Sequence, residues 1–311
     1  MTFTDYFAQW VETYKSGVVR RVTLDKYRLT HSHLERLSEG ITLENLDRQT
    51  YQRIISAYAR DHAHLSTRNF HNHLKAAMLD AVDEGLLTHN VARKIAFKGV
   101  SPIQKSKSKY LSRDESIKLL TVLDLERPII TGNRVNWDWL IVLCLKTGLR
   151  FSEALGLTPG DFDLRNCLLS VNKTYDYKHD FQLVEVTKNE SSIRKILMDG
   201  HLTEIFSRVL PVSSHEPIFI PPGRRVYDSV VNRRLTAVCQ EAGIPFISLH
   251  GLRHTHASIL FHAGVSIASI SKRLGHSNIT VTQNTYLHII KELEEKDLEL
   301  ITDSLESLSK Q

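Results

Sequence analysis

The stretch that decides how this chain folds lies at residues 250–256, which read His-Gly-Leu-Arg-His-Thr-His. It is followed by Leu-Gly-His at 274–276 and by Tyr286. Upstream, residues 147–155 read Thr-Gly-Leu-Arg-Phe-Ser-Glu-Ala-Leu and supply a second arginine. Guanidinium groups can clamp the oxygens of a phosphodiester, imidazoles can move protons, and a tyrosine hydroxyl can attack phosphorus. These residue types together predict phosphoryl transfer without a metal.

Each of these residues also has an ordinary structural interpretation. Arg150 alone would be a helix cap or a surface ion pair, with Glu153 orienting its guanidinium or simply pairing with it. His276 alone would be a surface cap, and Tyr286 a core tyrosine. The specificity of the pattern comes from the joint occurrence of these residues in this order.

In these motifs the chain resembles the tyrosine recombinases, the phage integrase family, over residues 110–290. The resemblance implies that Tyr286 is the nucleophile and that Arg150 and Arg253 are the catalytic arginines. It makes His250 a general acid or base and His276 a ligand of the phosphate. Glu153 becomes the structural acid beside the first arginine.

The resemblance also places a catalytic lysine on a strand hairpin, where it protonates the leaving 5′-oxygen. Lys188 lies on the predicted turn at residues 186–192 and is the first candidate. Asn189 and Glu190 follow it where family members often carry Thr and a basic residue, so Lys195 and Lys173 stay as alternatives. An ordinary turn lysine is the structural alternative for Lys188.

A zinc site is the competing interpretation of His250 and His254, which lie at i and i+4. No glutamate follows His250 as in HExxH, and no clustered Cys or Asp adds ligands, so we expect no metal. Buried packing or helix pairing is expected for His254 and His256. A phosphotyrosyl ester conserves the bond energy, so the resemblance implies that neither ATP nor any other cofactor is required.

Composition limits the other function classes. A length of 311 residues predicts about two domains, and 41% hydrophobic residues suffice for a real core. No apolar run approaches the ~18 residues of a membrane span, and the first residues lack the features of a signal peptide. Three widely spaced cysteines predict a reducing compartment, and the resemblance implies that this is the bacterial cytoplasm or nucleoid.

The charge is unevenly distributed along the chain. Residues 291–311 hold seven acids and three lysines and therefore have a net charge of −4. Since the net charge of the whole chain is +5, the remaining residues carry +9. A basic body favours a polyanion partner, which the resemblance implies is double-stranded DNA at attachment or core sites. The predicted DNA contacts are Arg68, Lys105, Lys107 and Lys109. The three lysines also suit a merely solvated linker.

The predicted fold is mostly α (α+β) in four segments. Residues 1–97 form a helical core-type DNA-binding domain, 98–110 a basic linker, 111–290 the helical catalytic domain with a small antiparallel sheet, and 291–311 an acidic amphipathic helix. The resemblance implies that the two domains encircle the DNA. Integrases usually add an N-terminal arm-binding module, so this chain belongs to a simpler group or has lost that module.

Periodicity predicts the individual elements. Five helices are expected in the first domain. Four of them cover residues 2–15, 47–59, 66–84 and 90–96, and the second along the chain is expected to begin after Thr23, its N-terminal cap. In the second domain Ser112 and Glu115 predict a capping box, and residues 137–146 a buried helix ending at Gly148. Three short strands are expected at 167–171, 181–186 and 193–197, and further helices at 227–243, 255–263 and 267–274.

The acidic tail carries an apolar stripe of Leu298, Ile301, Leu305 and Leu308. The resemblance implies that this helix docks on a neighbouring protomer in a tetramer on DNA, with DNA-bending or directionality proteins as accessory partners. Packing of the helix within the chain is the alternative.

Two other functions stay open. One is a type IB topoisomerase-like enzyme, which the docking tail argues against. The other is a catalytically idle DNA-binding protein, which the intact set of polar residues argues against.

Overall fold

The computed structural model describes residues 1–96, 110–184, 192–211 and 215–286. The chain divides into two compact units, Met1–Lys105 and Ser106–Gln311. Both are predominantly helical, and the strands of the second unit form small antiparallel sheets. The mostly α fold class expected from the sequence is confirmed. No helix in the described part of the chain is long and apolar enough to cross a membrane.

The first unit contains the four helices α1 (Phe3–Tyr14), α2 (Arg21–Leu37), α3 (Arg48–Asp61) and α4 (His64–Asp83). Thr2 and Asp47 cap α1 and α3 by accepting hydrogen bonds from the backbone N–H groups of Asp5 and Thr50. The apolar faces of the four helices share one core, which includes Phe3, Phe7, Trp10, Leu34, Tyr51, Ile55, Leu74 and Met78.

Two helix predictions in this unit are wrong in detail. Thr23 does not cap the second helix, because α2 already begins at Arg21 and includes Thr23 in its first turn. The expected helix at 90–96 is a series of turns. The Asn90 side chain accepts the backbone N–H of Ala92, and Lys94 has a φ of 57°, a left-handed conformation that an α-helix excludes.

The second unit contains the remaining elements in this order: α5 (Arg113–Thr121), β1 (Ile130–Thr131), β2 (Arg134–Val135), α6 (Asp138–Thr147), α7 (Phe151–Leu155), a 3₁₀ turn (Pro159–Asp161), β3 (Phe162–Asp163), β4 (Leu168–Val171), β5 (Thr174–Tyr175), β6 (Leu183–Val184), β7 (Arg194–Leu197), α8 (Gly200–Val209), α9 (Asp228–Glu241), α10 (Leu249–His262) and α11 (Ile267–Leu274). Residues 279–286 are also helical. Ser112 and Glu115 form the predicted capping box of α5.

The central helix of this unit is α6, whose residues 139–145 are apolar and buried on every side. A helix that is apolar all round has to be enclosed by other elements, and α10 is among those that pack on it. This packing brings the end of α6 next to α10, and it sets the position of Arg150, which follows α6 by three residues.

The sheet differs from the predicted one. Strand β4 lies between β3 and β7, with Leu169 opposite Ile196. The described part of the middle predicted run does not join this sheet; its residues Leu183 and Val184 pair with Tyr175 and Thr174. The hairpin of β1 and β2 and the short β3 were not predicted, because two-residue strands leave no alternation to detect.

Candidate active site

The turn that delivers Arg150 depends on Gly148. This residue ends α6 in the left-handed conformation, with a φ of 71°. A Cβ atom at this position would lie 2.8 Å from side-chain carbons of both His256 and Leu274. Glycine therefore permits both the reversal of the chain and the close approach of α10 and α11.

Side chains from α10 and α11 cap the last carbonyl groups of α6. His256 Nδ1 donates to the Leu145 oxygen at 3.0 Å, Arg253 Nη1 to the Gly148 oxygen at 2.6 Å, and Arg273 Nη2 to the Lys146 oxygen at 3.4 Å. A helix leaves its last four carbonyl groups unpaired and carries partial negative charge there. Two of the three capping groups are cations, which that charge stabilises.

The end of α11 holds three arginines in the same way. The carbonyl oxygens of residues 273, 274 and 275 form what we call the carbonyl platform. They accept hydrogen bonds from Arg194 Nε at 2.6 Å, Arg253 Nη2 at 2.6 Å and Arg150 Nη2 at 3.1 Å, in that order. Three guanidinium groups from distant parts of the chain are thus aligned by three consecutive backbone carbonyls.

Glu153 offsets part of the repulsion between these cations. Its carboxylate is 2% exposed and pairs with Arg150 at 2.7 Å and with Arg194 at 2.9 Å. Burial opposes ionisation of this carboxyl, but the neighbouring arginines outweigh it and lower the pKa to about 2. Glu153 is therefore a buried anion at neutral pH that positions two guanidinium groups.

The two sequence-predicted arginines differ in exposure. The Arg253 side chain is buried, and burial together with the charge of Arg150 lowers its pKa to about 9, which leaves it protonated at neutral pH. The Arg150 side chain is 37% exposed and reaches the surface of the unit. Two adjacent positive charges, one of them open to solvent, can bind the oxygens of a phosphate group.

His276 follows the carbonyl platform directly. Its Nδ1 lies 2.7 Å from the hydroxyl of Thr282, a fully buried residue on the helical segment 279–286. Burial and the charges of Arg253, Arg150 and Arg194 lower the pKa of His276 to about 4. The ring is therefore neutral at pH 7 and keeps one N–H group to donate.

His250 lies in the first turn of α10, whose N-terminus is capped by Ser248. Its side chain is exposed, and partial burial together with the charges of Arg253 and Arg150 lowers its pKa. The ring is perpendicular to that of His254, with the two centroids 4.6 Å apart. His250 thus lies three residues before Arg253 on the same helix start.

Tyr286 is buried in a small apolar cluster beside this site. Only 2% of the residue is exposed, and its neighbours include Ala257, Phe261 and Leu274. Burial raises the pKa of the hydroxyl to about 12, although the charge of Arg253 opposes the shift. The hydroxyl lies 3.0 Å from His254 Nδ1.

Four residues around the site were not identified from the sequence in these roles: Arg194, Arg273, His254 and Thr282. Their partners are between 6 and 127 residues away along the chain, so no local spacing reveals them. One signal existed for Arg194, because alternation in Arg194–Leu197 places it on the same face as the buried Ile196. A buried arginine on an apolar strand face indicates a buried acidic partner.

The structure describes both alternative lysines, Lys173 and Lys195. Lys173 forms a largely buried ion pair with Asp161, at 2.5 Å. Lys195 is exposed and, because side chains alternate along β7, points to the sheet face opposite Arg194. Lys188, the three linker lysines Lys105, Lys107 and Lys109, and the tail stripe lie outside the described residues. Arg68 is exposed on α4 in the first unit.

His256 has both ring nitrogens occupied. Nδ1 donates to the Leu145 oxygen, and Nε2 accepts from Arg273 Nε at 2.9 Å, so the ring is neutral. Burial and the charge of Arg273 lower its pKa to about 3. Among the residues that the structure describes, no three His, Cys, Asp or Glu side chains are grouped to hold a metal ion.

The sequence matches two families of domains. Residues 2–98 match the Phage integrase SAM-like domain, and residues 109–292 match the Phage integrase family. The integrase of Staphylococcus phage L54a is 24% identical, over 95% of this chain and 92% of the relative. The ICEBs1 integrase of Bacillus subtilis is 23% identical, over 77% of this chain and 66% of the relative.

Solved structures share the fold. The Tn1549 transposon integrase in complex with transposon right end DNA aligns with a TM-score of 0.74 at 21% identity, over 95% of this chain and 99% of that one. XerH recombinase bound to difH substrate, in a post-cleavage complex, aligns with a TM-score of 0.63 at 19% identity, over 89% and 79%. With its second unit matched almost from end to end, the chain belongs to the phage integrase family, the tyrosine recombinases, enzymes that cleave and rejoin DNA.

Proposed function

We propose that this chain is the site-specific integrase of a phage or other mobile element and that it works through a 3′-phosphotyrosyl intermediate formed on Tyr286. The observation that carries the proposal is the carbonyl platform, which anchors Arg150 and Arg253 side by side next to the segment that bears Tyr286. Two positive charges beside a buried hydroxyl are the groups that attack on a phosphodiester requires.

In the proposed reaction Arg150 and Arg253 bind the non-bridging oxygens of the scissile phosphate. The Tyr286 oxygen bonds to phosphorus, the bond from phosphorus to the 5′-oxygen breaks, and Lys188 protonates that oxygen. Neutral His276 donates its remaining N–H to the phosphate, and His250 exchanges protons at the edge of the site. Rejoining reverses these steps on a new 5′-hydroxyl.

Double-stranded DNA at the recombination sites of the element is the proposed partner. The similar Tn1549 integrase binds transposon-end DNA, and the similar XerH recombinase binds difH DNA, and both support this choice. Arg68 and the linker lysines Lys105, Lys107 and Lys109 are proposed to contact the DNA backbone. Such a substrate implies work in the bacterial cytoplasm or nucleoid, with DNA-bending or directionality proteins as accessory partners.

The nucleophile is tested with a DNA substrate nicked beside the cleavage position, so that the covalent adduct accumulates. We expect the wild-type chain to give an adduct on a denaturing gel and Tyr286→Phe to give none, with DNA binding nearly unchanged because only a hydroxyl is lost. An adduct formed by the Phe variant would move the role to Tyr175, Tyr177 or Tyr227.

The metal-free mechanism is tested on the same substrate with excess EDTA. Because the two arginines are assigned the stabilisation of charge, we expect adduct formation to persist at the rate without chelator. Complete loss of the adduct, restored by zinc or magnesium, would contradict the mechanism and favour a metal on His250 and His254.

The role of Lys188 is tested by replacing the 5′-bridging oxygen of the substrate with sulfur, since a thiolate leaves without protonation. The sulfur substrate should restore cleavage by Lys188→Ala. Lys173→Ala and Lys195→Ala are the matched controls and should need no rescue, because one lysine is paired with Asp161 and the other faces away from Arg194. Rescue of either control would move the role to that lysine.

The tail is proposed to join protomers into a tetramer on two DNA sites. Burying its apolar stripe on the next subunit removes an exposed hydrophobic surface, and head-to-tail contacts of this kind can close into a ring. Deleting residues 296–311 should leave binding to one site intact and reduce recombination between two sites. Normal recombination without the tail, or an unfolded second unit, would contradict the docking proposal.

A further inference from the structure

The buried Tyr286 hydroxyl needs a group that removes its proton. A phenol attacks phosphorus efficiently only as its proton leaves. A tyrosine hydroxyl is protonated at neutral pH even in water, and burial, which raises the pKa of this one to about 12, makes its proton harder still to remove. The residue is 2% exposed, so bulk water does not reach it freely. A side chain in contact with the hydroxyl is the proton acceptor that this buried position offers.

His254 makes that contact. Its Nδ1 lies 3.0 Å from the Tyr286 hydroxyl, within the range in which a general base accepts a proton. The two rings also touch, with centroids 5.5 Å apart, so the imidazole is held beside the tyrosine by packing as well as by the hydrogen bond. His254 is partly exposed, whereas the tyrosine is buried.

A second imidazole extends the contact towards solvent. His250 lies one turn earlier on α10, its side chain is exposed, and its ring centroid is 4.6 Å from that of His254. The three rings of Tyr286, His254 and His250 thus form a continuous series from the apolar cluster to the surface. In this series His254 lies between His250 and the Tyr286 hydroxyl.

We propose that His254 is the catalytic base for Tyr286 in the reaction described under Proposed function, on which this inference rests. With its proton on Nε2, His254 accepts the hydroxyl proton on Nδ1 as the tyrosine oxygen bonds to phosphorus and the 5′-oxygen leaves. The imidazolium returns that proton to the tyrosine oxygen when the DNA strand is rejoined. His250 lies beside His254 at the surface and stays outside this transfer, exchanging its own proton with solvent.

His254→Asn separates proton transfer from simple positioning. The asparagine amide can accept or donate a hydrogen bond near the position of Nδ1, but it cannot take up a proton at neutral pH. We expect single-turnover adduct formation on the nicked substrate to fall by about 100-fold or more, the usual contribution of a general base. DNA affinity and the thermal midpoint should stay close to the wild-type values.

Two controls make this result specific. His262→Asn changes an exposed histidine near the end of the same helix, which bonds Ser258, and should cleave at the wild-type rate. The 5′-sulfur substrate should not rescue His254→Asn, because the lost proton transfer is on the side of the nucleophile. His254→Gln serves as a second test should the asparagine variant fail to fold.

Three results would contradict the account, two of them the role of His254 and one the proposed function. Wild-type cleavage by His254→Asn would overturn the assignment and leave His254 as a packing residue. Rescue of the variant by the 5′-sulfur substrate would equally overturn it, since it would place the defect at the leaving group. Failure of the wild-type chain to form an adduct would instead contradict the proposed function, so the two failures are distinguishable.

Discussion

The two halves of the site are held in different ways. The arginine half is fixed by three consecutive backbone carbonyls, the carbonyl platform, and by the buried carboxylate of Glu153. The tyrosine half is fixed by apolar packing and, among the described residues, by the hydrogen bond of Tyr286 to His254. The difference teaches that the arginine half is part of the folding core, whereas Tyr286 can be altered with little effect on the fold.

The largest effect on stability is expected from Glu153→Gln. The variant keeps the side-chain shape but leaves Arg194, a buried cation, without its anion. Breaking a buried pair in this way costs about 3–5 kcal/mol. The free energy of unfolding measured in urea should fall by that amount.

The matched control for this variant is Glu204→Gln, which removes the exposed partner of Arg208. An exposed pair contributes about 0–1 kcal/mol, so this variant should unfold almost as the wild type does. Equal losses in the two glutamine variants would show that the arginine half is no more tightly built than the surface.

A smaller loss is expected from Gly148→Ala. The left-handed backbone costs about 1–2 kcal/mol for a residue with a Cβ, and contacts at 2.8 Å with His256 and Leu274 add about 1–3 kcal/mol. Gly264→Ala separates the two contributions, because Gly264 has a φ of 78° but no atom within 4 Å of the added Cβ. Equal stability of the two alanine variants would mean that α10 and α11 are not fixed against this turn.

Acid should weaken the arginine half through its neutral histidines. The pKa of folded His276 is about 4, against 6.5 in the unfolded chain, so the unfolded state binds more protons between these values. Stability should therefore be full above pH 6.5 and should fall as the pH drops towards 4. Glu153 adds no change above pH 4.5, because its pKa falls from 4.5 to about 2 on folding.

Thermal midpoints between pH 7.5 and 4.5 test this expectation. In His276→Asn the midpoint should fall less steeply with acid than in the wild type. The slope should not vanish, because buried His256, with a pKa of about 3, acts in the same direction. An unchanged slope would show that His276 is not held in its neutral form by burial and the arginine charges.

The smallest effect on stability is expected from Tyr286→Phe. The substitution removes the hydrogen bond to His254, which contributes about 0.5–1.5 kcal/mol, while the ring keeps its packing against Phe261. The urea-derived free energy of unfolding should fall by no more than this. A loss as large as that of Glu153→Gln would erase the difference between the two halves.

Most of the helices and the motif residues could be predicted from the sequence because their signals are local. Apolar residues at helical spacing predicted α1 and α3, and Gly148 and Gly275 both end helices in the left-handed conformation. The short α7 and the helix α8 were not predicted. The order of motifs also gave the family correctly. Roles of single residues within that family stay predictions.

The supporting contacts could not be predicted, because they join residues that are distant in sequence. Arg194 and Glu153 are separated by 41 positions, and His254 and Tyr286 by 32. The carbonyl platform cannot be predicted from the pattern of side chains, because its acceptors are the backbone oxygens of Arg273, Leu274 and Gly275. His254 was assigned to packing because a histidine beside a motif carries no signal of what it touches.

The most direct test of the account is to identify the residue that carries the DNA. Wild-type protein trapped on the nicked substrate is digested with nuclease and trypsin, and the nucleotide-bearing peptide is identified by mass spectrometry. Cleavage after Arg273 and Lys291 releases residues 274–291, in which Tyr286 is the single tyrosine. The account predicts the nucleotide on this peptide, at Tyr286. A nucleotide on a peptide containing Tyr175, Tyr177 or Tyr227 would contradict it.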